Sequence, residues 1–465
     1  MGYAQELFRA MGGFSSFAVS FSIISVLTGI TTTYTKGLAG GGPAGLGLGW
    51  PLVAVGTLVV ALAMAELASA FPTAGALYHW SALFGGPGWG WLTATTNLVG
   101  QCAVVAAIDL GCAREIVAVL GLGHPAAPIA VYALVLASHA AINVLSVRLV
   151  AWLNDLSATV HVVGVVVLTA LLVALARKHP VAYLADTSFT TQPSYPLGFM
   201  NALILGMYTF TGYDASAHLS EETHDPARRA PIGILSAVGV SAIAGYAYLV
   251  GLTLAVGSLP DLAKDEHAPL AILQEGLGPR AGRWGMGLAI FAMWFCGLSS
   301  VTSASRTLYA FARDDGLPGS RALKRVHPRL KTPHVAIGVA FVAALALVVG
   351  TSRLEASFFD AMVSMATMGL YVSYALPIGL GLVARARGRL RRRGPFSLGR
   401  LTQPVAALAV GWSAFVLVAC SLPPEVLPSR LFAGMLVALG VVYFAFVRRR
   451  FKGPAITLEA IERDP

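Results

Sequence analysis

The stretch Ser25-Val26-Leu27-Thr28-Gly29 lies inside the first long apolar segment of the chain, and Thr209-Phe210-Thr211-Gly212 lies inside the sixth. Both stretches combine hydroxyl side chains with glycine. Two interrupted helices at corresponding positions indicate an inverted repeat of five plus five helices, with a binding site near the middle of a membrane. Close packing of helices through small residues is the alternative explanation of each stretch taken alone. Their matched placement favours the interrupted helices.

The chain around these stretches is depleted of charge. Of its 465 residues, 56% are hydrophobic and 12% are charged, whereas soluble domains have roughly 25% charged residues. A spanning helix needs about 20 apolar residues, because each backbone N–H and C=O must be paired within its own segment. We predict an all-α membrane protein with twelve spans, at residues 14–36, 50–78, 89–119, 126–146, 150–176, 197–221, 231–257, 283–311, 334–351, 355–383, 403–422 and 429–447.

We expect a single polytopic membrane domain over residues 1–465. Residues 14–176 and 197–383 would form the two inverted repeats, and residues 403–447 two accessory helices. The longest polar stretches between spans have the length of loops and leave no room for a soluble domain. The first span is too long for the core of a signal peptide, so we expect it to stay in the protein.

The net charge of +10 could suggest a nucleic-acid partner, but the basic residues follow a membrane pattern. With twelve spans, both termini lie on one side, where the loops and ends carry 22 Lys and Arg residues against eight on the other side. Lys and Arg accumulate on the cytoplasmic side of membrane proteins. We therefore expect no nucleic-acid partner and place both termini in the cytoplasm, in a protein of the cytoplasmic (inner) membrane surrounded by lipid.

Cysteine and histidine patterns give no sign of an enzyme. The four cysteines lie within apolar segments without CxxC spacing, and the ten histidines are scattered without an HExxH motif. Such patterns predict neither a disulfide framework nor a metal site. We expect no catalytic residues and no cofactor other than a coupling proton or Na⁺. A channel with the same helix count would not need paired interruptions, so a carrier is the favoured class.

Several motifs together resemble those of the amino acid/choline transporter family, within the amino acid, polyamine and organocation superfamily. The closest likeness is to permeases for γ-aminobutyrate (GABA) and to plant bidirectional amino-acid transporters. The motifs are the run from Ser20 to Ile30, Gly41-Gly42-Pro43, Ala65-Glu66-Leu67, Pro72-Thr73-Ala74-Gly75, the run from Thr211 to His218 with Glu221-Glu222-Thr223, the run from Phe295 to Ser303, and the run from Gly394 to Gly399.

The resemblance implies a fold like that of bacterial sodium-coupled amino-acid transporters, with ten helices in the repeat and two more at the end. It also implies alternating-access transport of small amino acids, with GABA, alanine, glutamate or lysine as expected substrates. Choline, polyamines or cationic amino acids are the alternatives. Ala76 and His79 depart from the family pattern, and both bear on gating more than on fold.

The first interruption is suited to a substrate carboxylate. A helix broken near Ser25 would leave free N–H groups at Thr28, Gly29 and Ile30, and a helix N-terminus carries partial positive charge. Glycine would also let the substrate approach the backbone. We therefore predict that these four residues line or shape the binding site.

The second interruption is suited to a substrate amine, because carbonyl groups and aromatic faces attract cations. Tyr208 and Phe210 lie at this point, and the resemblance implies that Tyr208 closes over the substrate. It also implies that Thr211, Gly212 and Tyr213 line the pocket. Packing in the helix bundle is the alternative role of either aromatic residue.

Carboxylates inside spans are costly and are candidates for function. Asp214 could bind the amine, carry a proton, or instead cap the half-helix that follows it. Asn97, Gln101 and Asp109 lie on one stripe of the third span, which predicts a polar face toward the bundle interior, with Gln101 at the substrate. Asp109 could alternatively pair with Arg114.

Two kinds of ion coupling are compatible with the sequence. Ser299, Ser300 and Ser303 could supply hydroxyl oxygens to Na⁺ beside the first interruption. His161 in the fifth span, or Asp214, could carry a proton. A hydrogen bond between helices is the alternative role of His161. We favour proton coupling or exchange over sodium.

The remaining charged residues within or beside spans have an expected structural role. Glu66 and Arg306 are predicted to be internal polar anchors. Glu221 and Glu222 are predicted to form a cytoplasmic charge network with the charged residues that follow them, namely His224, Asp225, Arg228 and Arg229.

Overall fold

The computed structural model describes residues 11–351, 357–423 and 426–454, and residue 458. Regular structure in this part of the chain is almost entirely α-helical, as the long apolar segments predict. The helices are α1 (Gly13–Ile24), α2 (Val26–Gly47), α3 (Gly49–Ala70), α4 (Ala76–Gly85), α5 (Pro87–Leu120), α6 (Ala127–Leu145), α7 (Val147–Leu171), α8 (Tyr195–Thr209), α9 (Ala215–His218), α10 (Pro226–Leu254), α11 (Leu259–Leu262), α12 (Ala268–Leu277), α13 (Pro279–Arg313), α14 (Ser320–Leu323), α15 (His334–Thr351), α16 (Ser357–Ala386), α17 (Thr402–Ala419) and α18 (Leu427–Val442).

Ten helical segments of the described residues are long and apolar enough to cross a membrane, with α1 and α2 counted as one. They correspond to ten of the predicted spans, although residues 355 and 356 of the span 355–383 lie outside the described residues. The predicted span 89–119 corresponds to α5, which has 34 residues. The predicted span 197–221 corresponds to α8, which has 15 residues, together with α9. The chain is a multi-pass integral membrane protein.

The predicted second span, 50–78, is wrong at its C-terminal end. The helix α3 ends at Ala70, and the separate helix α4 begins at Ala76. Phe71 precedes Pro72, and the proline ring disfavours helical backbone angles in the residue before it. Phe71 accordingly has φ −134° and ψ 70°.

Large apolar side chains cover much of the outer surface. Leu134 is 71% exposed, Ile243 77% and Trp284 82%. In water, an apolar surface of this kind would promote association with other molecules. In a bilayer it is the favoured surface, because lipid tails and these side chains are equally apolar.

The polar residues lie inside, around the two interruptions. The first interruption separates α1 from α2, and the second separates α8 from α9. The helix α2 packs along α8, while α5 packs between α13 and α16. The helices α17 and α18 both pack against α16. This packing brings the interruptions together, with α5 facing them.

Candidate functional site

Ser25 forms the first interruption. Its backbone has φ 32° and ψ 79°, in the left-handed region, so that α1 stops before it and α2 starts after it. The Ser25 carbonyl accepts the N–H of Gly29 at 2.9 Å, and its Oγ lies 3.4 Å from the N–H of Thr28. Ile30 also lies within α2. The prediction of free N–H groups at Thr28 and Gly29 is therefore wrong, because Ser25 itself caps the helix.

His161 of α7 reaches this cap. Its Nε2 lies 2.6 Å from Ser25 Oγ, and its Nδ1 lies 2.9 Å from the carbonyl oxygen of Ser157. A carbonyl can only accept, so Nδ1 carries the proton and Nε2 accepts from the Ser25 hydroxyl in the neutral ring. The histidine that the sequence predicts for coupling therefore holds the residue at which the first helix is broken.

The second interruption spans residues 210–214, between α8 and α9. Gly212 has φ 88°, a conformation that L side chains rarely adopt. Its N–H donates to the hydroxyl of Tyr374 on α16 at 3.1 Å, and that hydroxyl donates to Asp214 Oδ1 at 2.9 Å. Tyr374 thus holds the open backbone and the carboxylate beside it with one oxygen atom.

The second oxygen of Asp214 faces two further donors. Oδ2 lies 3.0 Å from His218 Nε2 and 3.3 Å from Asn97 Nδ2. The carboxylate forms no hydrogen bond that caps α9, so the capping alternative is wrong. Its partners come instead from α5, α9 and α16. Asp214 is 2% exposed, and hydrogen bonds are what makes burial of such a charge possible.

The polar stripe on α5 continues this network. Gln101 Nε2 donates to Asn97 Oδ1 at 2.5 Å and to Thr307 Oγ1 of α13 at 3.1 Å. The expectation that Asn97 and Gln101 face the bundle interior is confirmed. The chain of contacts connects the second interruption, through α5, to α13.

Two small cavities lie between the interruptions. Ile23 and Val104 line both, so the two cavities are neighbours. The first is also lined by Ile24, Thr28, Gly29, Ile108, Tyr208, Thr209, Thr211 and Cys296. The second is also lined by Gln101, Gly212, Asp214, Ser300, Ser303 and Leu370.

Seven of the predicted substrate residues line these cavities, namely Thr28, Gly29, Gln101, Tyr208, Thr211, Gly212 and Asp214. The others make packing or supporting contacts. Ser25 lies behind Thr28, with 2.5 Å between their hydroxyl oxygens. Phe210 packs on Trp50 at 4.7 Å between ring centroids, Tyr213 packs on Tyr374 at 5.1 Å, and Ile30 lies in the hydrophobic core.

The three predicted sodium ligands lie on α13, but they differ in their surroundings. Ser300 and Ser303 line the second cavity. The hydroxyl of Ser299 contacts Asn154 Oδ1 of α7, and that of Ser300 donates to the Cys296 carbonyl at 2.8 Å.

Asp109 and Arg114 have different partners, so the alternative in which they pair with each other is wrong. Asp109 Oδ2 lies 3.1 Å from His139 Nδ1 of α6. Arg114 lies 3.7 Å from Glu266. In the same loop as Glu266, a hydrogen bond to Glu115 raises the pKa of His267 above its ordinary value.

The glutamates after α9 form ion pairs with α13. Glu222 accepts from Arg306 Nε at 2.9 Å, and Glu221 accepts both terminal nitrogens of Arg313 at 3.0 and 2.8 Å. The prediction placed these glutamates in a network with residues 224–229, whereas the cations of these ion pairs come from α13. Arg306 is an internal anchor, as predicted. So is Glu66, which accepts from Thr402 Oγ1 at 2.9 Å.

Tyr374 is the site residue that sequence reasoning missed, and it provides a first test. Tyr374→Phe leaves the Gly212 N–H without its partner and removes one donor from Asp214. An unsatisfied buried group costs about 1–3 kcal/mol, so we expect substrate uptake to fall about tenfold or more. Radiolabelled uptake in proteoliposomes measures this loss. Tyr371→Phe is the control, because its hydroxyl contacts Thr57 at 3.2 Å rather than Gly212 or Asp214. Equal losses in both variants would contradict the role of Tyr374.

An interrupted-helix site enclosed within a membrane bundle is the arrangement of a carrier, and comparison with known proteins agrees. The sequence profile of the amino acid permease family matches residues 11–446. The chain belongs to this family, within the amino acid, polyamine and organocation superfamily, and is a transporter of amino acids rather than an enzyme. The resemblance noted from the motifs is thereby confirmed.

Individual relatives extend over most of the chain. The chain is 38% identical to the amino-acid permease BAT1 of Arabidopsis thaliana, covering 91% of this chain and 87% of the relative. It is 39% identical to the BAT1 homolog of Oryza sativa subsp. japonica, covering 91% and 86%. It is 29% identical to the GABA-specific permease of Saccharomyces cerevisiae, covering 98% and 85%.

Proposed function

We propose that this protein is a secondary active transporter of small amino acids, with GABA and closely related amino acids as its substrates. The observation that carries the proposal is the pair of neighbouring cavities between the two helix interruptions, with the start of α2 at one and Asp214 at the other. GABA has a carboxylate at one end and an amine at the other. A site with two ends of opposite character fits that molecule.

The carboxylate would lie at the first cavity. Thr28 and Gly29 of the first turn of α2 reach it. The N-terminus of α2 carries partial positive charge, which favours an anion. The Thr28 hydroxyl can donate to the substrate once it turns away from Ser25.

The amine would lie at the second cavity, beside Asp214. A carboxylate attracts an ammonium group strongly where water is excluded. Tyr208 lines the first cavity, and an aromatic side chain there is suited to close over the methylene chain of the substrate. Choline lacks the carboxylate, and a polyamine would need an acidic group at both ends. Both are therefore weaker candidates than GABA. Lysine, like GABA, has both a carboxylate and an amine.

We propose twelve membrane spans. Ten are the long apolar segments, the eleventh is α5, and the twelfth is formed by α8 together with α9. Residues 14–176 and 197–383 would form inverted repeats within one membrane domain, and α17 and α18 the accessory pair. In alternating access, one group of helices would rock against the others. This group would consist of the interrupted pair α1 and α2, the helix α3, the interrupted pair α8 and α9, and the helix α10. Both termini would lie in the cytoplasm, according to the distribution of basic residues.

For coupling we propose protons or exchange rather than sodium. The hydroxyl of Ser299 contacts Asn154 and so points toward α7. This direction argues against a sodium site that Ser299 would form together with Ser300 and Ser303. His161 supports the proton alternative, because a proton on Nε2 would turn this nitrogen from acceptor to donor at Ser25. Asp214 is a second candidate, and its proton would remove the charge that holds the amine.

A ligand screen tests the proposed substrate. We expect GABA to raise the thermal unfolding temperature of the purified protein more than alanine, glutamate, lysine, choline or putrescine does. At a concentration ~100 times the Kd, a ligand adds about 2.7 kcal/mol to the free energy of unfolding. Stabilisation by choline or putrescine but not by GABA would contradict the proposal. In proteoliposomes, counterflow of labelled GABA separates a carrier from a channel, and uptake that requires Na⁺ and ignores a pH gradient would contradict proton coupling.

A further inference from the structure

A second acid and base pair lies apart from the interruptions, where α5 meets α6. Asp109 Oδ2 and His139 Nδ1 are 3.1 Å apart, and both side chains are fully buried. The remaining atoms, Asp109 Oδ1 and His139 Nε2, have no hydrogen-bond partner among the described residues. Buried polar atoms are nearly always paired, so two unpaired atoms in one contact need an explanation.

The pair lies directly behind the wall of the first cavity. Gly297 of α13 faces it, because a Cβ atom at this position would overlap with Asp109 Oδ1 and with the His139 ring. Ile108 directly precedes Asp109 in the sequence, and Cys296 directly precedes Gly297. Both Ile108 and Cys296 line the first cavity. The same two helix segments therefore contact the cavity on one side and the acid and base pair on the other.

The charge of the pair favours uptake of a proton. Asp109 as a carboxylate beside a neutral His139 carries one negative charge in a low-dielectric interior, and one added proton makes the pair neutral overall. His161, whose partners are Ser25 and Ser157, would instead acquire an unbalanced positive charge. The pair is thus the less costly place to store a proton.

Two thiols and two phenols lie near the pair. They are Cys112 on α5, Tyr132 on α6, Tyr208 on α8 and Cys296 on α13. Thiols and phenols ordinarily lose their protons only above pH 8. The ring of Trp294 covers His139 at 5.1 Å between centroids. These four groups therefore add no charge beside the pair near pH 7.

We propose that Asp109 and His139 together form a proton-binding site that is loaded and emptied once in each transport cycle. The proton binds from one side of the membrane, cancels the charge of the pair and leaves to the other side, so that one positive charge crosses with the substrate. The Cys296-Gly297 segment couples the two events, because cavity and pair share it. This inference rests on the proposed proton-coupled function.

The test compares net uptake with exchange, using Asp109→Asn and His139→Asn in proteoliposomes. Each variant keeps a polar side chain but removes one of the two titratable groups that would share the proton. We expect uptake driven by a pH gradient to fall about tenfold or more, while counterflow of labelled GABA, which needs no net proton movement, is retained. Asp155→Asn is the control, because this half-buried carboxylate lies on α7 and accepts from Ser15 at 3.1 Å.

The outcomes separate this inference from the proposed function. If the wild type responds to the pH gradient and both variants respond equally well, the pair does not carry the coupling proton. If the folded variants lose counterflow together with gradient-driven uptake, the pair is structural and the inference is again overturned. Should Asp109→Asn fail to fold, His139→Asn decides by the same comparison. A wild type that transports GABA but ignores the pH gradient overturns both proton coupling and this site. A wild type that does not transport GABA overturns the proposed substrate.

Discussion

Transport is expected to fall by about ten- to a hundredfold when Gly29 is replaced by alanine, the effect of an overpacking cost of about 1–3 kcal/mol. Gly29 lies in the first turn of α2, and a Cβ atom there would overlap with the side chain of Thr209 at the end of α8. The two interrupted helices touch at this point, so the added methyl group pushes apart the two walls of the first cavity. Gly29→Trp is expected to abolish transport altogether.

The same contact offers a rescue. Thr209→Gly removes the three atoms nearest to the new methyl group, so Gly29→Ala with Thr209→Gly is expected to recover part of the lost uptake. Recovery will be incomplete, because glycine near a helix end costs up to about 1 kcal/mol. Gly239→Ala on α10 is the control, since a Cβ atom there meets nothing within 4 Å. Uptake of labelled GABA by proteoliposomes measures all four proteins. Normal transport by Gly29→Trp would place the substrate elsewhere.

The interruptions themselves could be read from the sequence, because glycine and hydroxyl residues within an apolar run weaken a helix. The break near Ser25 was predicted in this way, and Ser25 does adopt the left-handed conformation. The contact that holds Ser25 in place could not be predicted from local sequence. The Ser25 hydroxyl is held at 2.6 Å by His161 from a different helix. A contact between residues 136 positions apart depends on tertiary packing, which local propensity does not contain.

Partner assignments failed for a related reason. Arg114 follows Asp109 by five residues, which on a helix is about 7.5 Å along the axis, so the two side chains do not meet. The packing of α5 against α6 brings His139 to Asp109 instead. Tyr374 was missed because a tyrosine in an apolar helix carries no signal that separates a site residue from core packing. The residues that line the cavities were easier to predict, since the interruptions lie at fixed places along the chain.

The ion pair of Glu222 with Arg306 supports the second large prediction, which concerns stability. Both side chains are 1% exposed, and Arg306 Nε lies 2.9 Å from Glu222 Oε1. Arg306 also donates to Asn143 Oδ1 at 3.3 Å and to Ser305 Oγ at 3.2 Å. These contacts join the segment after α9 to the middle helices of the bundle. Arg306→Met leaves the carboxylate buried without its cation, which costs about 3–5 kcal/mol.

Removing both charges is expected to cost less than removing one. Glu222→Gln combined with Arg306→Met leaves no isolated charge, so the double variant should unfold at a higher temperature than Arg306→Met alone. Thermal unfolding of the detergent-purified proteins measures Glu222→Gln, Arg306→Met and the double variant against the wild type. Lys324→Met is the control, because its pair with Asp315 at 2.9 Å is exposed and contributes under about 1 kcal/mol. If Arg306→Met were no less stable than Lys324→Met, the buried pair would not hold the segment after α9 to α13. An additive double variant would show that the two charges act independently.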